Sequence, residues 1–236
     1  MADQLEALTI IFTEFYYWLT VVLMFLIHVG FCIYEVGASR RKHMMHTLMK
    51  NTMLIPLVTV TFYLFGWWVY WAFANGPGIT GGLIAAPWAT PFSELMGAHM
   101  GGTPMQGGLT GDDAAAWARI NGVFWAAFVL FAWTAASIVS GSVIERIRSS
   151  AFWILAVLIG SFFWIVDAAW GWSAAGWMVQ KLGYHDAYAS GVIHAIAGGF
   201  ALGVLLHLGP RIGKFAADGT PQNIRPHNPW LVTIGL

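Results

Sequence analysis

The residues best suited to chemistry are an acid and an imidazole eight positions apart, Asp186 and His194. They sit in a stretch otherwise made of small and apolar side chains, Ser190-Gly191-Val192-Ile193-His194-Ala195-Ile196-Ala197-Gly198-Gly199. A neutral imidazole has one donor and one acceptor, so it can line a narrow polar path or relay a proton. A helix-to-helix hydrogen bond is the other use for His194, and the spacing alone favours neither. Asp186 suits a helix N-cap, where its carboxylate accepts free backbone N–H groups and complements the helix dipole. Asp167 lies five residues before Trp172, and Glu14 lies early in the first apolar run. Either acid can be a surface group or part of a cation-attracting mouth. Trp172 reads as a membrane-interface aromatic or as a cation–π surface, and its position favours the interface. His28 reads as a packing residue, and His207 as a side chain reaching the membrane surface.

Other site chemistry is missing. There is no H-E-x-x-H, no Cys/His metal spacing, no phosphate-cradling Gly loop followed by Lys-Ser/Thr, and no G-x-S-x-G. The single cysteine, Cys32, excludes a disulfide framework within the chain. The sequence therefore points to no enzyme, cofactor or metal.

The elements that must position these residues are membrane spans. Of 236 residues, 58% are hydrophobic and 9% charged, with basic and acidic groups cancelling. Soluble domains carry about 25% charged residues, so an ordinary soluble enzyme, a disordered chain and a nucleic-acid binder are excluded. A spanning helix needs about 20 mostly apolar residues. Five segments qualify, at about 8–34, 52–74, 117–141, 151–172 and 187–208, and a sixth begins near Pro229. The fifth places His194 near its middle. Ionisable groups there cost roughly 2.5–3.5 kcal/mol each, which makes them functional by default. Small residues recur on it at Ala195, Gly199 and Gly203, a face that lets another helix approach closely. Nine of eleven Lys and Arg fall on one side: Arg40, Arg41, Lys42 and Lys50, then Arg146 and Arg148, then Arg211, Lys214 and Arg225. The positive-inside rule makes that side cytoplasmic and puts the N-terminus outside. The stretch from Gly76 to Ala116 reads as an irregular outer loop.

Three stretches together resemble the ammonium transporter (Amt/Mep/Rh) family, on its Amt branch. The first runs Gly30-Phe31-Cys32-Ile33-Tyr34-Glu35-Val36-Gly37-Ala38-Ser39-Arg40-Arg41-Lys42-His43, followed by Leu48-Met49-Lys50-Asn51. The second is Thr134 to Arg146, ending Ser140-Gly141-Ser142-Val143-Ile144-Glu145-Arg146. The third is Asp186 with His194 and then Ala197-Gly198. The order and the topology match as well, over almost the whole chain.

The resemblance implies an all-α polytopic membrane fold. Residues 1–236 would form a single transmembrane domain, the five helices of the first inverted repeat plus the start of a sixth. A second repeat, carrying a second histidine, would come from a longer protein or from another half-chain. The resemblance implies a homotrimer in the cell membrane, with a pore inside each protomer, and transport of ammonium or ammonia. His194 would belong to a central histidine relay, and Asp186 would organise an outer cation site from behind. Trp172 would form that site's aromatic wall, with Asp167 beside it where an apolar residue is expected. Counting back from Glu145 makes Phe131 a gate residue. The same count puts Ala127 and Phe128 at the family's Phe-Gln pair, so one aromatic of the outer site is displaced. Glu35, Arg40, Lys42, Glu145 and Arg146 would hold helix ends together at the inner surface. The alternative is an Amt-like ammonium-sensing receptor domain. A cytoplasmic regulatory or signalling partner suits either reading, and a nucleic-acid partner suits neither.

Overall fold

A backbone crossing lipid must satisfy its own hydrogen bonds, and helices do so within one segment. The computed structural model of the chain, which describes residues 2–72, 114–173 and 176–236, is accordingly helical. Five helices are long and apolar enough to cross a membrane: Ala7–Ala38, Arg41–Gly66, Gly122–Ser142, Ser149–Gly171 and Ser190–Leu208. A short helix, Pro229–Gly235, follows, and its N-cap Asn228 accepts from the backbone N–H groups of Trp230 and Leu231. The architecture matches the all-α, five-span expectation. The outer loop expected at Gly76 to Ala116 lies almost wholly outside the described residues.

The third span is the hub. Of its apolar window 78% is buried, against 22% for the first and the fifth. The first span packs along it and also carries the short terminal helix. That last crossing is tight: a Cβ on Gly30 would lie 2.8 Å from the Gly235 carbonyl oxygen, and one on Gly37 would lie 2.7 Å from Leu231 Cβ. The second and fourth spans each widen into one π-helical turn, Phe62–Gly66 and Ile159–Phe163. The turns face each other, with the hydroxyls of Thr61 and Ser161 at 2.8 Å. Trp133 on the third span donates its indole N–H to Thr59 at 3.0 Å.

One expectation needs correction. The second span begins at Arg41, not near Thr52, so Lys50 belongs to a membrane-length helix and not to the loop. Its ammonium is buried because Glu35 lies 3.2 Å away and the Ser140 carbonyl accepts from it at 2.8 Å. Lys50 also lies over the Phe152 ring, 5.0 Å from the centroid. Asn51 and Ser140 donate to the same Glu35 oxygen at 2.9 and 2.8 Å. This is a buried ionic knot joining spans one, two and three. Gly199 and Gly203 carry the small-residue face expected to let another helix approach closely. Both are exposed with open space beside them, so among the described residues no helix packs on that face.

Candidate functional site

The site is built around the start of the fifth span. The chain enters it through Ala189, in the left-handed conformation at φ 61°, and the first turn, Ser190–Ala195, is π-helical. Ala189, not Asp186, therefore occupies the cap position. Asp186 acts from four residues outside the helix: Oδ1 accepts from Ser190 N–H at 2.8 Å, and Oδ2 accepts from Gly191 and Val192 N–H at 2.9 and 3.0 Å. Tyr184 adds its hydroxyl at 3.4 Å. Burial pushes the Asp186 carboxyl up, but these donors together hold it below the usual carboxylate range. The helix starts later than the sequence suggested, because the three residues after Asp186 form the turn that brings its carboxylate back. His194 is consequently the fifth residue of a span running from Ser190 to Leu208, in its first third and not near the middle.

Gly191 is required at this turn, since a Cβ there would collide with the Tyr184 hydroxyl. The Tyr184 ring also lies close to Gly171, at the end of the fourth span. Burial, then the carboxylates of Asp186 and Asp167, push the Tyr184 phenol up.

Trp172 follows the fourth span directly, and its indole N–H donates to the Asp186 carbonyl at 2.8 Å. The Phe131 ring meets the Trp172 ring edge-on, with centroids 5.1 Å apart. Phe131, Trp172 and His194 line one cavity of about 420 Å³, together with Thr134, Ile193 and residues of the first span such as Met24 and Phe31. Three of the residues singled out in the sequence thus share one concavity, with Asp186 behind its rim. His194 is exposed on its wall. Asp167 is half-buried and is not among the lining residues.

An aromatic layer behind the wall was not anticipated. Phe128 is buried and lies 5.8 Å from Trp172, 5.7 Å from Trp164 and 5.0 Å from Tyr70. Ala127 is also buried, so neither position of the supposed pair reaches the cavity. The i, i+3 and i, i+4 spacing of Phe124, Phe128 and Phe131 was the signal available for this stack.

The inner-surface group divides. Glu145 sits at φ 60° with its side chain fully buried. It accepts from the backbone N–H of Arg40 at 2.6 Å and from Arg40 Nε at 2.8 Å. Arg146 donates to the Gly209 carbonyl at 3.3 Å, at the end of the fifth span. Glu35 is not at the surface but inside the ionic knot with Lys50. Lys42 is exposed and makes no ion pair among the described residues. His28 is buried, stacked on Trp133 at 5.1 Å, with Nδ1 3.3 Å from the Ser137 hydroxyl.

Residues 15–236 match the family model described as Ammonium Transporter Family. The chain belongs to that family. Similar relatives include ammonium transporter Amt2 of Archaeoglobus fulgidus, 30% identical over 90% of this chain and 42% of the relative. Amt2 of Methanocaldococcus jannaschii is 31% identical over 91% and 44%. Among solved structures, one titled Sensor Amt Protein superposes with a TM-score of 0.72 at 23% identity, over 98% of this chain and 52% of that one. Candida albicans Mep2 superposes at 0.66 and 20% identity, over 94% and 44%. The structural likenesses establish the ammonium-transporter fold. The chain spans less than half the length of these Amt2 relatives.

Proposed function

We propose that this chain forms one half of a unit that conducts ammonium or ammonia across the cell membrane. The observation that carries the proposal is the placing of Phe131, Trp172 and His194 on one concavity, with the Asp186 carboxylate fixed behind it. Family membership and relatives named as ammonium transporters support the substrate. Ammonium must be collected from dilute solution and parted from potassium ions. Aromatic faces and directed acceptors do this better than bare charge. In this reading Trp172 offers a face to the cation, while Asp186 and Asp167 lower the potential at the mouth. Phe131 gates the narrowing path, and His194 passes ammonia and its proton inward. The opposite wall comes from a second repeat, the units assemble as homotrimers, and the N-terminus is outside. The sensor reading is supported only by a likeness of fold, so transport is preferred.

The test is ammonium uptake by purified full-length protein in liposomes, with a potassium control. Replacing His194 with Ala should leave folding intact and should abolish conduction or its selectivity. Selective conduction like that of the wild type would return His194 to a packing role.

A further inference from the structure

The cavity of Phe131, Trp172 and His194 has a mostly apolar wall, interrupted by the polar side chains of Thr20, Thr134, Tyr188 and His194. Tyr188 is 87% exposed, His194 is exposed as well, and Thr20 is half-buried. Thr134 differs, with only 7% of its surface exposed. It follows Phe131 by three residues on the third span, so the two share a helix face. Three residues of helix place Thr134 about 4.5 Å further toward the basic end of that span.

A hydroxyl has one proton to give and two lone pairs. Thr134 gives its proton to the Leu130 carbonyl at 2.9 Å. What remains for the cavity is an oxygen that accepts and does not donate. The bond by itself is an ordinary helix feature: Thr52 makes it to Leu48, also at 2.9 Å, but Thr52 is exposed and does not line this cavity. What points to a ligand is a buried acceptor on an apolar wall, one turn inward from the ring read as a gate. Ammonium or ammonia moving inward from Trp172 gives up water as the wall becomes apolar. Each N–H then needs an acceptor from the protein, because an unmade hydrogen bond in a low-dielectric space is costly. A neutral His194 ring supplies one acceptor from the fifth span. We infer that the Thr134 hydroxyl oxygen, on the third span, accepts a second N–H from the ammonium or ammonia that has passed Phe131. Thr134 thereby makes the inner part of the cavity selective for N–H donors. This role rests on the transport reading above and adds a residue to it.

The experiment measures ammonium uptake by purified full-length protein in liposomes, as the maximal rate per folded protein and the half-saturating concentration. Thr134→Val keeps the side-chain shape and removes the acceptor. It should lower the maximal rate about fivefold, the size of one neutral hydrogen bond. The half-saturating concentration should stay the same, because entry is set at Trp172, before Phe131. Thr134→Ser restores the hydroxyl and should recover most of the rate. Thr52→Val removes the equivalent helix bond away from the cavity and should change neither value. Thermal unfolding checks that each variant is folded. A wild-type maximal rate in Thr134→Val, or an equal loss in Thr134→Ser, would overturn the role. A raised half-saturating concentration at an unchanged maximal rate would overturn it too, since the hydroxyl would then act at the entrance. No uptake by the wild type would sink the transport reading and this role with it. Normal wild-type uptake with no effect of Thr134→Val would sink the role alone.

Discussion

Trp172 donates its indole N–H to the backbone carbonyl of Asp186 at 2.8 Å, while the carboxylate of the same aspartate holds three backbone N–H groups of the next helix. One residue thus ties the aromatic wall of the cavity to the turn that carries His194. Neither half of the bond acts alone: shifting the carboxylate shifts the carbonyl that orients the indole.

The first prediction follows from the lowered Asp186 carboxyl. An unfolded aspartate titrates near pKa of about 3.9. Because the folded value is lower, the stabilisation is complete above the unfolded value and fades as pH falls through the folded one. Thermal unfolding of wild type should therefore be flat from neutral pH down to about pH 5 in this respect, then fall below about pH 4. Asp186→Asn should lack that acid-side fall. Asp186→Ala should cost about 1 kcal/mol, as loss of a capping acceptor does. Parallel acid-side profiles for wild type and Asp186→Asn would show that the carboxylate does not hold the turn.

The Glu35–Lys50 knot leads to a sharper expectation. Removing one partner of a buried ion pair costs about 3–5 kcal/mol, because the other charge is stranded. Lys50→Met and Glu35→Gln should each lower the yield of folded protein strongly. The double variant should recover most of it, since no unpaired charge remains. A double variant as poor as either single one would mean that Asn51 and Ser140 depend on the carboxylate itself.

How much of this was legible in the sequence depends on what sets each feature. The five spans were visible because apolar runs of membrane length have few other meanings. Charge runs marked the side but not the depth. Lys50 looked like one more loop cation because its partners, Glu35 and Ser140, come from two other helices. His194 and Asp186 were legible as a spaced pair. The αL residue Ala189, which starts the helix late and moves His194 toward the first end of the span, has no composition signal. The displaced aromatic at Ala127 was legible as a departure. The stacking of Phe128 against Trp164 behind the wall joins two spans and is a packing result that no local pattern encodes.

Gly160 on the fourth span packs against both the second and the third spans. A Cβ there would lie 2.7 Å from Val58 Cγ1 and 3.1 Å from the Ala132 carbonyl oxygen. The carbonyl belongs to the central helix backbone and cannot swing away. Gly160→Ala should cost about 1–3 kcal/mol through overpacking, read as a lower unfolding temperature in detergent. Gly203→Ala, with nothing within 4 Å, should be neutral by the same measurement. Equal effects of the two would mean that the spans adjust freely at Gly160.

The last prediction separates two histidines of opposite setting. His194 is exposed on the cavity wall, whereas His28 is buried against Trp133 and has Nε2 with no hydrogen-bond partner among the described residues. An unsatisfied buried nitrogen costs about 1–3 kcal/mol, and an apolar replacement of similar shape removes that cost while giving up the single bond to Ser137. His28→Leu should therefore unfold within about 1.5 kcal/mol of wild type, on either side of it. Ammonium uptake and its selectivity over potassium should stay at the wild-type level, because His28 does not line the cavity of Phe131, Trp172 and His194. Unfolding and liposome uptake of the one variant decide the matter together. Lost or unselective uptake in a His28→Leu protein of normal stability would put a second histidine on the conduction path and would move that path toward the first span.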